Sequence, residues 1–293
     1  MIVLDGGIGR HLEKMGAPFG QPEWSALSLI QEPDFVLRAH KDFIDSGADV
    51  ITTNSYAIVP FHIGKDRFEK EGKDLLNRAG NIAREAVKLY KREIKIAASI
   101  PPVLGSYKPD IFNSEKAIPI LEIFKNNLIQ YCDLILAETL SSIDEIKTIQ
   151  RVFGDCKMPF WISLTIEDDY YNIPKLRSGE EIVTALRKID FNKISSVLFN
   201  CSQPEVMAKA IKVAKNLVPE NTSLGVYANA FQPIKIGQRD ANSQIRNTRQ
   251  ELTPEKYFDF VKEWNELEVD IIGGCCGIGP EHIKKICELK KNR

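Results

Sequence analysis

The sequence predicts a single (β/α)8 barrel spanning residues 1–293. Three observations carry that prediction. Eight short β-branched or apolar runs recur along the chain, each followed by a longer amphipathic stretch. Helix-start signals stand at the heads of several of those stretches. A length of 293 residues is ordinary for one such barrel and does not require two domains.

The strands are expected at residues 2–4, 50–52, 96–99, 134–137, 160–164, 196–199, 224–227 and 270–272. The helices that follow them are expected at residues 34–46, 68–91, 114–130, 143–153, 179–189, 204–217, 254–266 and 280–290. Ser114 stands before Glu115, and Ser141 and Ser142 precede Asp144, each a capping pattern. Thr253-Pro254 and Gly279-Pro280 put proline at the first helical position, where its missing N–H costs nothing. A doubly wound open sheet is disfavoured, because Asp5-Gly6-Gly7-Ile8-Gly9-Arg10 follows a strand with neither dinucleotide-fingerprint nor P-loop spacing. Residues 101–113, 166–178 and 230–252 are the longest irregular pieces. All three follow strands, on the face where barrels place active sites. The run from Gln238 to Ser243 is polar enough to serve as a lid.

Apolar residues make up 43% of the chain, enough to fill a large core. The 39 basic and 40 acidic residues leave a formal net charge of −1, so no basic field exists to hold a nucleic acid or an anionic membrane. The N-terminal residues lack the charged leader and apolar run of a signal peptide. No stretch approaches the roughly 18 apolar residues of a membrane span. The expected location is the cytoplasm, and the expected partner is a small molecule. The six cysteines are therefore read as reduced thiols, metal ligands or catalysts rather than as disulfides.

The strongest chemical signal is Gly273-Gly274-Cys275-Cys276-Gly277, at the end of an apolar strand. Adjacent cysteines pair with each other only through a strained ring, but flanking glycines let the backbone turn both sulfurs onto one metal. Cys201, in Phe199-Asn200-Cys201-Ser202, ends the sixth predicted strand just ahead of a helix. A lone cysteine there would read as a small buried hydrophobe. In a barrel, however, all three sulfurs converge at the C-terminal mouth. Three thiolates leave a tetrahedral Zn2+ one open position, the pattern of a reactive site, and zinc holds an incoming sulfur as thiolate without redox chemistry. Cys132, Cys156 and Cys287 have no such partners.

Here the chain resembles a family. Asp5-Gly6-Gly7, the run from Ser46 to Tyr56, Ala137-Glu138-Thr139-Leu140, the run from Phe199 to Pro204 and the run from Gly273 to Ile283 are similar to homocysteine S-methyltransferases. The matches extend from Asp5 to His282. The resemblance implies a (β/α)8 barrel with zinc on Cys201, Cys275 and Cys276. Tyr227-Ala228-Asn229-Ala230 resembles most the homocysteine half of cobalamin-dependent methionine synthase, which makes Asn229 a candidate displaceable zinc ligand.

Asp5 ends the first strand and Glu138 the fourth, and both carboxylates are expected in the mouth, where an uncompensated charge is costly. In the family the matching acids grip the homocysteine amino group. Gly6, Gly7, Thr52, Thr53, Asn54 and Ser99 are candidate donors to its carboxylate. His11, His40, His62 and His282 fit no metal spacing. Tyr56, Tyr107, Tyr170, Tyr171 and Phe231 lie on mouth loops and are candidates for cation–π contact with a methyl sulfonium.

The implied reaction is zinc-dependent methyl transfer to the thiol of homocysteine, giving methionine. The expected donor is S-methylmethionine or S-adenosylmethionine, with betaine as a further choice. A donor delivered by folate and a corrinoid would need a separate corrinoid protein. A non-catalytic zinc- or thiol-binding barrel is the rival from another class, and a selenol such as selenocysteine is the rival acceptor.

Overall fold

The structure, a computed structural model, describes residues 1–169, 173–233 and 247–291. Tyr170, Tyr171 and the expected lid run from Gln238 to Ser243 lie outside the described residues. The strands are β1 (Ile2–Val3), β2 (Val50–Thr52), β3 (Lys95–Ile100), β4 (Leu134–Leu140), β5 (Phe160–Leu164), β6 (Ser196–Asn200), β7 (Ser223–Tyr227) and β8 (Ile271–Ile272). All pair parallel, in the order β1-β8-β7-β6-β5-β4-β3-β2. The ring closes between β1 and β2 through a Leu4–Val50 bridge, with Asp5 N donating to Val50 O at 2.9 Å. The fold is therefore the expected (β/α)8 barrel.

Helices stand after the strands, among them Pro33–Asp45, Lys65–Lys88, Ser114–Asn127, Ile143–Phe153, Pro204–Lys215, Pro254–Glu266 and Pro280–Ile286. Ser142 caps as expected, accepting from Glu145 N, and Thr253, just ahead of the expected first-position Pro254, accepts from Lys256 N. At the helix expected from residue 114 the cap is Asn113, whose side chain accepts from Lys116 N, and Ser114 is already helical. The helix expected at 179–189 shrinks to Ile182–Leu186. Its first turn is lost because Gly179 is left-handed (φ +89°) and Lys175 bridges Glu181, so this segment is spent on a small hairpin.

Two apolar layers follow from the period of two along each strand. Ile135 and Ala137, Val197 and Phe199, and Ile162 and Leu164 face outward to the helices. Leu134 and Leu136, Leu198, Trp161, Ala97 and Val50 fill the barrel. Among the described residues no helix is long and apolar enough to cross a membrane.

Candidate active site

Continuing the inward alternation by one more step predicts which side chains cap the apolar filling. They are Thr52 above Val50, Ser99 above Ala97, Glu138 above Leu136, Ser163 above Trp161 and Asn200 above Leu198. Tyr227 at the end of β7 completes this polar layer. Asn200 ties it together: its Oδ1 accepts from Thr139 N (3.0 Å) and Ser163 Oγ (2.8 Å), and its Nδ2 donates to Thr139 Oγ1 (2.9 Å). The β4–β5 register shifts between Ala137 and Leu140, and Thr139 takes a left-handed φ of +63°. Asn200 thus holds the irregular stretch that carries Glu138.

Above the layer opens a cavity of about 930 Å³, counted with its open mouth. Asp5 and Glu138 are both buried in its wall, and neither pairs with a lysine, arginine or histidine among the described residues. Asp5 accepts from Thr52 N (2.7 Å) and Thr52 Oγ1. Glu138 accepts from Ser99 Oγ and from Tyr227 OH (3.3 Å). Burial raises the Asp5 carboxyl well above its usual range against the pull of the Thr52 bonds, and the charge of Glu138 adds to the rise. Burial pushes Glu138 up to about 7, with the Ser99 bond opposing. Two desolvated carboxylates without a counter-ion form a site electrostatically suited to a cation.

The three expected cysteines meet in the same mouth, with Cys275 and Cys276 following β8, the neighbour of the strand that carries Asp5. Their sulfurs lie within 4.8 Å of one another, and Cys201 Sγ is 2.8 Å from Cys275 Sγ. Cys201 follows β6 and the cysteine pair follows β8, and backbone bonds lace these two strand ends to those of β7 and β1. Cys201 N reaches Tyr227 O (3.4 Å), Cys275 N donates to Ala228 O (2.8 Å), Ala230 N donates to Cys276 O (2.8 Å) and Gly274 N donates to Asp5 O (3.0 Å). Gly277 turns at φ +83°, which a side chain would resist. A Cβ on Gly7 would stand 2.5 Å from Cys275 O and 2.7 Å from the Cys276 Cα, so only glycine lets the first loop pack under the paired cysteines.

The donor set fits a thiophilic ion. Tetrahedral zinc with bonds of about 2.3 Å separates its sulfurs by about 3.8 Å, within side-chain adjustment of this cluster, and three protein ligands leave a fourth position. In the absence of an ion, Cys275 and Cys276 thiols hydrogen-bond to Cys201 and hold it well below the usual thiol range, while those two are themselves pushed up.

Other expected residues fall out differently. Gly6, Thr52, Thr53, Asn54 and Ser99 line the cavity, as do Tyr56, Tyr107 and Phe231. Several expected donors are already committed. Gly7 N donates to Ile278 O, Thr52 serves Asp5, Ser99 serves Glu138, and the Thr53 hydroxyl pairs with Ser55 Oγ and accepts from Ser99 N. Asn54 Nδ2 donates to Ser25 O at 3.0 Å, and its buried Oδ1 accepts from no partner among the described residues. Asn229, the candidate displaceable ligand, accepts through Oδ1 from Gln203 Nε2 and Phe231 N, both at 3.2 Å, and does not line the cavity.

Trp24, His62 and Ser106 also line the cavity and were not singled out by the sequence. The Nδ1 of His62 lies 2.7 Å from Pro22 O. Trp24 and His62 come from irregular or very short segments with no periodicity to read, and their place in the wall depends on packing between distant loops.

A (β/α)8 barrel with a thiol cluster and paired carboxylates at its C-terminal mouth is an enzyme architecture. Residues 2–289 match the family model for homocysteine S-methyltransferase, and the chain belongs to that methyltransferase family. Among similar proteins, homocysteine S-methyltransferase 1 of Brassica oleracea var. italica is 28% identical, covering 99% of this chain and 94% of that protein. A selenocysteine methyltransferase of Astragalus bisulcatus is 27% identical over 98% of this chain and 91% of its own length. The fold matches the homocysteine methyltransferase MmuM from Escherichia coli in its metallated form, with a TM-score of 0.80 and 21% identity, covering 99% of this chain and 96% of that one.

Proposed function

We propose that this protein is a zinc-dependent homocysteine S-methyltransferase that takes its methyl group from a sulfonium, S-methylmethionine or S-adenosylmethionine. The observation that carries this reading is the convergence in one cavity of three clustered thiols and two buried carboxylates that have no ion-pair partner among the described residues. Such a wall suits a molecule with a thiol at one end and an ammonium at the other. Cys201, Cys275 and Cys276 hold the zinc, which when bound keeps the acceptor sulfur as a thiolate at neutral pH. Asp5 and Glu138 take the substrate ammonium, with Asn54 Oδ1 as a third acceptor.

The cavity opens to solvent at its mouth, and the thiol cluster and both carboxylates line it together. Trp24, Tyr56, Tyr107 and Phe231 give that cavity aromatic faces suited to a methyl sulfonium. Holding donor and thiol in line is the main contribution of the chain's own residues to rate, since the acceptor proton is lost before transfer. Reduced thiols at the site accord with a cytoplasmic location. The nearly equal similarity to a selenocysteine methyltransferase favours selenocysteine as a second acceptor.

The test is methionine formation by purified, reduced, zinc-loaded protein from homocysteine and each donor in turn, with no other protein present. Turnover with either sulfonium supports the reading. Turnover only after a methylated corrinoid protein is added would assign the chain to a split methionine synthase. Inactivity under every condition, with zinc bound, would leave a non-catalytic barrel.

A further inference from the structure

We propose that Arg177 is a positioning residue for the thiol site, clamping the main chain at Cys201 and thereby setting how tightly the three sulfurs hold a metal. Cys201 follows β6 in a left-handed conformation (φ +52°), which a residue with a side chain adopts only when its surroundings enforce it. Its own N–H makes a long 3.4 Å contact, so the sheet ladder holds the turn weakly. The carbonyl oxygen is what is held. It accepts from Arg177 Nη2 (3.3 Å), Tyr107 OH (3.3 Å) and Thr165 Oγ1 (3.4 Å).

Arg177 itself is fixed on all sides. It is 6% exposed, its guanidinium nitrogens meet both oxygens of buried Asp168 at 3.2 Å, and its plane sits 5.1 Å over the Tyr107 ring. Asp168 Oδ1 also accepts from Gln203 N at 2.9 Å. The ion pair therefore grips the turn at Cys201 and again two residues later. The hairpin after β5 brings the pair there, through the Ile166–Leu176 bridge. Arg177 does not line the cavity, so it acts through Cys201 rather than on a substrate. Lysine carries the charge but lacks the planar fork that meets Asp168, the Cys201 carbonyl and the Tyr107 face together.

This role presupposes the zinc reading proposed above, and the experiment separates the two. Zinc affinity of the full-length reduced protein is measured by competition with a chromophoric chelator, for wild type, R177K and the double variant R177M/D168N. The double variant removes both buried charges together, which avoids leaving one unpaired and keeps the barrel foldable. Circular dichroism confirms the fold of each, and the cobalt(II)-substituted forms report site geometry by their visible spectra. The expected result is a loss of zinc affinity of roughly 10- to 100-fold in both variants, the range for partners that orient metal ligands, with an altered cobalt spectrum. Wild-type affinity and spectrum in a folded double variant, or full rescue by R177K, would overturn the clamp. A wild-type protein that binds no zinc would instead overturn the zinc reading beneath it.

Discussion

Asp5 and Glu138 are buried in one cavity with no lysine, arginine or histidine paired to either among the described residues, and in the proposed reading the substrate ammonium supplies the cation. Glu138→Gln and Asp5→Asn each remove one charge-assisted hydrogen bond, about 1.5–3 kcal/mol. Each is expected to lower kcat/KM for homocysteine roughly 10- to 150-fold, chiefly through KM, with zinc content unchanged in metal analysis. The pH profile follows from the same residue. Burial pushes Glu138 up to about 7, and only its ionised form above that pH accepts from an ammonium. In wild type, kcat/KM should fall as pH drops through about 7, and Glu138→Gln, whose amide does not titrate, should lose the Glu138 part of that limb and keep only the part due to the raised Asp5 carboxyl. Asp5, Glu138 and the three site cysteines were readable from the sequence because each ends a strand, and a barrel sends strand ends to one mouth. The partners that occupy Thr52, Ser99 and Gly7 were not readable, because they belong to neighbouring strands and loops whose register the sequence does not state.

Strand ends set the site through contacts between neighbouring elements. Asn200 joins the ends of β4, β5 and β6, and Asn200→Ala would leave the buried Thr139 N–H without its partner. The expected cost is about 1–3 kcal/mol in denaturant unfolding, with a raised KM for homocysteine because Glu138 loses its support. The first loop is coupled to the last in the same manner. Gly7→Ala would drive a Cβ into the backbone of Cys275 and Cys276, and is expected to weaken zinc binding in a chelator competition. In the sequence, Asn200 reads as half of an Asn-Cys motif and Gly7 as half of Gly-Gly. Their structural duties show only when β6 stands beside its neighbours and the chain's first turn lies under its last. The shortened helix at Ile182–Leu186 was missed for a related reason: the hairpin that displaces its first turn is a pairing between loop residues, without helical or strand periodicity.

The barrel as a whole carries buried titratable groups of opposite consequence for stability. His40 is fully buried in the helical layer with both ring nitrogens unpartnered, and burial lowers it to about 4. A folded value below the unfolded 6.5 means that stability is present above about 6.5 and lost as pH falls toward 4. Glu145 runs the other way: burial raises it to about 8, so its contribution fades as pH rises from its ordinary 4.5. Comparing wild type with His40→Leu isolates the histidine. The stability difference should shift by about 3 kcal/mol in favour of the variant between pH 7 and pH 4, read from urea unfolding. Barrel class and strand count were legible because eight apolar runs alternate with amphipathic ones. Ring closure through Leu4 and Val50 was implied by that count, while the buried orphan His40 was not signalled by its helix pattern. The central claim is that Cys201, Cys275 and Cys276 together hold the zinc on which turnover depends. It is tested most directly by assaying zinc per chain and methionine formation on the same reduced samples of wild type, Cys201→Ser, Cys275→Ser and Cys276→Ser. One zinc per chain in wild type, with zinc and turnover lost together in each folded variant, is the predicted result. Full zinc and full turnover in any one of the three variants would contradict it.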